Sequence, residues 1–158
     1  MLDLVLNNLT TDKKYNQNFF EKILDTALVV PRLEVQPPNV GVSVNLVGAG
    51  RIKALNKKYR GKNRATDVLS FPINKKEDFS MKLKGDTIEL GDIFICLPIA
   101  KKIAKKEKIS IEKELARLTV HGFLHLLGYD HEKSAQGQKE MFKLENKTLD
   151  KLSSFLAS

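Results

Sequence analysis

HGFLHLLGYDH, running from His121 to His131, contains all three histidines of this 158-residue chain, and its spacing decides what the surrounding structure must be. Residues four apart on a helix stand one turn above each other on the same face. A helix through Arg117–Leu127 therefore projects the imidazoles of His121 and His125 side by side. Gly128 then marks the exit, because glycine takes the left-handed conformation without a Cβ clash, and the chain can turn back to bring His131 toward the same point. Two ligands from one rigid helix, a third from a turn and an open fourth position match a catalytic zinc. A structural zinc is normally closed by four protein ligands rich in cysteine, and Cys96 is the only cysteine here. Copper, nickel and iron also accept three imidazoles, so the pattern points to a transition metal, with Zn2+ the expected one. A lone histidine on an apolar helix face is ordinarily a satisfied core residue; the full triple, with a glycine in register, argues against that reading.

Outward from this segment, Ser110 is placed to cap the histidine helix. Ile88 to Leu97 is apolar and β-branched enough for a central strand, interrupted by Gly91–Asp92, with Pro98 opening the next helix. Further strands are expected at residues 2–7, at Val40–Leu46, where apolar residues alternate with Gly41, Ser43 and Asn45, and at Val68–Phe71. Helical periodicity marks Phe19–Leu28, ended by Pro31, and residues 49–59, which leave through Gly61 into a basic loop. Residues 74–85 read as a loop or hairpin arm, and a final helix covers about 134–152. Strands in the first two thirds and helices at the end give an α+β fold: one domain over 1–158, with a small mixed sheet of about four strands and the metal helix packed on it.

Composition narrows the class. Hydrophobic residues at 42% and charged residues at 29% are those of an ordinary globular protein. No apolar run approaches the ~18 residues of a spanning helix, so no membrane partner is expected. The absence of a recognisable secretory leader, together with the single cysteine, makes the cytoplasm the expected compartment. A formal charge of +8, from 27 basic and 19 acidic residues, suggests an anionic partner. The excess is local: Lys57, Lys58, Arg60, Lys62 and Arg64 form one cluster, and Lys101, Lys102, Lys105, Lys106 and Lys108 form another. A lysine-rich helix face is usually only solvated, so the first cluster carries the argument.

The spacing HxxxHxxGxxH is also that of the metzincin metalloproteases, whose version has Glu directly after the first histidine as general base. Gly122 stands there in this chain, which disfavours peptide hydrolysis while leaving a zincin-like metal helix.

Over about residues 40–150 the chain resembles the YbeY family. The resemblance is carried by LNKKYRGKNRATDVLSFP at Leu55–Pro72, ELGDIFIC at Glu89–Cys96 and the histidine segment itself. It implies a metal-dependent, single-strand-specific endoribonuclease acting on single-stranded RNA near the 3′ end of 16S rRNA, with the small ribosomal subunit as partner and a part in ribosome quality control. It implies a catalytic Arg60, matching the arginine of the family's YR segment, whose planar fork suits the scissile phosphate. Lys57, Lys58, Lys62 and Arg64 are then the RNA-binding neighbours of that arginine. Thr66 and Asp67 are expected to fix the basic loop against its strand. Asp130 is read as an acceptor orienting an imidazole, a turn former or a base, in that order, and Tyr129 as a packed or base-stacking aromatic. A reading of a different class is a ribosome-binding assembly factor whose metal is mainly structural.

Overall fold

The computed structural model describes residues 1–30, 39–74, 87–130, 132 and 134–157. The expected stop at Pro31, nearly all of the expected 74–85 arm, and His131 lie outside the described residues. The elements run β1 (Leu2–Asn8), α1 (Gln17–Val29), β2 (Asn39–Val47), α2 (Ala49–Arg60), β3 (Val68–Pro72), β4 (Thr87–Cys96), α3 (Leu97–Glu107), α4 (Ile111–Leu126), α5 (Ala135–Lys151) and α6 (Ser153–Ala157). The strands form one mixed sheet in the order β1-β2-β4-β3, in which β1, β2 and β4 are parallel and β3 is antiparallel to β4. This is the α+β architecture with about four strands that the sequence indicates. No helix among the described residues is long and apolar enough to cross a membrane.

Alternation along the strands sends Val40, Val42, Val44 and Leu46 of β2 into the main core, with Ile88, Leu90, Ile93 and Ile95 of β4 beside them. Leu90 and Ile93 are an odd number of residues apart, so a plain strand would turn them to opposite faces. A bulge resolves the conflict. Gly41 pairs with Glu89 but Val42 pairs with Gly91, so one extra residue of β4 is accommodated and the inward face is kept. The Gly91–Asp92 pair is thus a bulge within one continuous strand, not a break in it.

Only glycine serves at this bulge. Gly91 has φ +138°, and a Cβ there would lie 2.1 Å from the carbonyl oxygen of Phe71 on β3. Backbone strain of about 1–3 kcal/mol and a clash of similar cost should together make Gly91→Ala lose roughly 2–6 kcal/mol. A fall in melting temperature on the order of 10 °C should follow in a thermal melt. A melt indistinguishable from wild type would show that β3 and β4 do not approach as described.

One face of the sheet is covered by α1 and α4, with α5 packed on them, in a cluster that runs from Leu4 to Leu156. The other face, at the β3–β4 end, takes α2 through a smaller cluster of Val47, Ile52, Leu69 and Cys96. Burial pushes the Cys96 thiol above its ordinary range, as expected of a packing residue. Lys101 on α3 pairs with Asp12 at 2.8 Å, and the remaining lysines of the second basic cluster are exposed at that end of the molecule.

Candidate active site

Helix α4 is the axis of the site. Ser110 caps it by accepting from the Lys113 N–H at 3.1 Å, and Glu112 and Glu114 in its first turn suit the positive end of the helix dipole. From Glu114 to Leu126 every residue is buried except Arg117, His121 and His125. Those three are spaced by four, so a helix otherwise enclosed by the core keeps a single row of side chains accessible. Gly128 leaves the helix with φ +99°, its N–H donating to the His125 carbonyl at 3.0 Å. This is the conformation expected of a glycine that ends a helix and reverses the chain.

The Nε2 atoms of His121 and His125 lie 3.2 Å apart. Two ligands of a tetrahedral zinc with Zn–N bonds of about 2.0–2.1 Å stand about 3.3 Å apart, so the pair is already spaced for one ion. On its other side His121 Nδ1 meets the carboxylate of Glu145 from α5. A carboxylate accepts, so Nδ1 is the nitrogen that donates to Glu145, and Nε2 is the one turned toward His125. The donor set therefore fits a transition metal. Among the described residues no third donor completes a group of three around the pair.

A cleft of about 980 Å³ opens beside the histidines, with Arg60, Lys62 and Arg64 on its other wall. The elements explain how these groups arrive. Helix α2 ends in Lys57, Lys58 and Arg60, which suit its negative end, and Gly61 caps it with φ +68°. The buried Asn56 side chain donates to the Arg64 carbonyl at 2.9 Å, and the Asn56 backbone carbonyl accepts from the Lys62 N–H at 3.2 Å, tying the basic loop to the helix. Arg60 is exposed, lies 5.6 Å over the Phe71 ring and donates from one Nη to the Ser70 carbonyl at 2.7 Å. Among the described residues its other donors have no hydrogen-bond partner, so they can meet a ligand. The hydroxyl of the same Ser70, buried, donates to the Gly122 carbonyl of α4 at 3.2 Å.

His121, His125, Arg60, Lys62 and Arg64 are thus brought to one cleft, whereas Lys57 and Lys58 are exposed but do not line it. Lys58 instead lies 5.1 Å over the ring of Tyr59. Asp67 does anchor the loop: its carboxylate accepts from the Val68 N–H at 2.8 Å and stands 3.7 Å from Arg117, while its carbonyl accepts from Cys96. The Asp130 carboxylate accepts from the Glu132 N–H at 2.8 Å. Tyr129 lines the cleft while packing on the main core, and burial raises its phenol above the ordinary range, so it is neutral at pH 7.

Sequence reasoning missed Glu145 and Asn56. A signal for each was present: Glu145 shares the inward stripe of α5 with Met141, Thr148 and Leu152, and a carboxylate in such a stripe demands a partner. The position where a metzincin carries its base turns away from the cleft. A Cβ on Gly122 would lie 2.9 Å from Ile93 Cγ2 and 3.0 Å from Ser70 Oγ, so a glutamate there would be driven into the sheet.

The chain is similar to known proteins over most of its length. A family profile described as Endoribonuclease YbeY matches residues 5–153. A protein named Endoribonuclease YbeY from Sulfurihydrogenibium sp. is 41% identical over 140 residues, which is 89% of this chain and 83% of the relative. One of the same name from Persephonella marina is 36% identical over 157 residues, 99% of this chain and 94% of the relative. A solution structure of a Thermotoga maritima protein superposes with a TM-score of 0.62 at 30% identity, covering 96% of this chain and 91% of that one.

Proposed function

This chain belongs to the YbeY family of endoribonucleases, and from that premise we propose that it is a zinc-dependent, single-strand-specific endoribonuclease that matures the 3′ end of 16S rRNA and serves ribosome quality control. The observation that carries the reading is the meeting, in one cleft, of two imidazoles spaced for a metal with an arginine and a basic loop suited to a phosphate backbone. His121 and His125 hold the ion, with His131 as the third ligand. When bound, zinc supplies a Lewis acid for the scissile phosphoryl group and activates the attacking oxygen near neutral pH. Arg60, docked on Ser70 with donors to spare, binds a phosphate oxygen and stabilises the charge that gathers there as the bond breaks. Lys62 and Arg64 hold flanking phosphates, positioning the strand without reading its sequence.

Labelled single-stranded RNA, duplex RNA and casein, each incubated with zinc-loaded and chelator-treated protein across a salt series, test this reading. Metal-dependent cleavage of the single strand is expected, with duplex and casein left intact. Three cations on a single strand give a slope of about −2 in log affinity against log salt, roughly a tenfold to twentyfold loss of binding from 50 to 200 mM. Casein hydrolysis at a rate comparable to RNA cleavage would overturn it, and so would preference for the duplex, whose rigid A-form backbone cannot bend toward a recessed ion. The end groups of the products distinguish attack by water, which leaves a 5′-phosphate, from attack by the ribose 2′-hydroxyl, which leaves a 2′,3′-cyclic phosphate.

A further inference from the structure

Glu145 stands on α5 with a side chain only 12% exposed, in contact with His121 Nδ1. A buried carboxylate is costly unless it is paired, so its position calls for an explanation. The contact with His121 supplies one. Glu145 meets Nδ1, and the opposite nitrogen of the same ring, Nε2, lies 3.2 Å from the Nε2 of His125. A carboxylate that accepts from Nδ1–H therefore sets which nitrogen of His121 is turned toward His125, where an ion shared by the two rings would sit.

The surroundings hold the carboxylate in place. Arg117, one turn before His121 on the same row of α4, interacts electrostatically with Glu145. That guanidinium is itself clamped by the buried Glu114 through Nε at 3.0 Å and Nη2 at 2.6 Å. The charge beside Glu145 therefore has a fixed place.

We infer that Glu145 is a positioning residue of the metal centre: it fixes the tautomer and rotation of His121 and so aims its Nε2 at the ion. The inference rests on the proposal that His121 and His125 hold a metal. Outer carboxylates of this kind raise the basicity of the ligand they touch, and their loss typically costs 10–100-fold in metal affinity.

Two measurements on the full-length chain test it. Zinc affinity is measured by competition with a chromophoric chelator for wild type, Glu145→Ala, Glu145→Gln and His125→Ala. The protonated ring nitrogen of His121 is assigned in the metal-free protein by long-range ¹H–¹⁵N spectra. Wild type is expected to show the Nδ1–H tautomer. Glu145→Ala is expected to bind zinc 10–100-fold more weakly with a mixed tautomer and an unchanged far-ultraviolet circular dichroism spectrum. Glu145→Gln should fall between the two, because its amide oxygen still accepts. Glu145→Ala binding zinc as wild type does, while His125→Ala does not, overturns the role of Glu145 and leaves the metal site standing. An Nε2–H tautomer in wild type overturns it whatever the variants do, including one that fails to fold. If wild type takes up no zinc, or His125→Ala binds it as tightly, the metal site itself is wrong and the positioning role falls with it.

Discussion

Alanine in place of His125 is expected to end RNA cleavage at ordinary zinc concentrations while leaving the protein folded. The side chain is half-buried at the edge of the cleft, so truncating it opens space toward solvent and leaves the core contacts of α4 intact. Its loss from the proposed metal site is the larger matter. Zinc held in small protein sites contributes about 10–16 kcal/mol, so each ligand accounts for roughly 2.5–4 kcal/mol, on the order of 10²–10³ in affinity. Chelator competition should show that loss, and cleavage should return only partly as zinc is raised. A His125→Ala protein that cuts RNA like wild type at trace zinc would remove the metal from the mechanism.

Arg60→Ala should lower cleavage on the order of 10²–10³-fold, the usual cost of removing one aimed donor from a developing charge. Zinc affinity should stay unchanged, because no bond joins the guanidinium to either described histidine; its partners are the Ser70 carbonyl and the Phe71 ring. That separation distinguishes the two variants: one loses metal, the other keeps it and still fails. Arg60→Lys should recover little, since an ammonium cannot bond Ser70 and a phosphate oxygen with the same planar geometry. Cleavage by Arg60→Ala within a few-fold of wild type would assign the charge stabilisation elsewhere.

What could be read from the chain alone was what recurs at short range. The histidine helix, its Ser110 cap and its glycine exit are local periodicities, and they appear in the structure as expected. The strand order was not legible, because β2 sits between β1 and β4 through parallel pairings with segments some forty or more residues distant, and nothing within the strands names the partner. The bulge at Gly91 looked like an interruption because a change of inward parity is visible only against the neighbouring strand. Glu145 went unread for the same reason. Its partner is 24 residues away on another helix, and only the three-dimensional crossing of α4 and α5 turns a glutamate in an apolar stripe into a contact with His121. The basic cluster was legible as charge but not as direction: Lys62 and Arg64 turn into the cleft, while Lys57 and Lys58, on the last turn of α2, do not.

One buried serine sets the dimensions of the cleft. The carbonyl of Ser70 holds Arg60 and its hydroxyl holds the backbone of the histidine helix, so the interval between the guanidinium and the imidazoles spans a single residue of β3. Groups joined through a loop can adjust their separation to whatever arrives; groups joined through the middle of a sheet strand cannot. On the proposed reading the site would act as a fixed gauge, and the work of conforming would fall to the substrate. A polymer would fit only if its own backbone could close to that interval, so the stiffness of the RNA, rather than any contact to its bases, would be the first property the site measures.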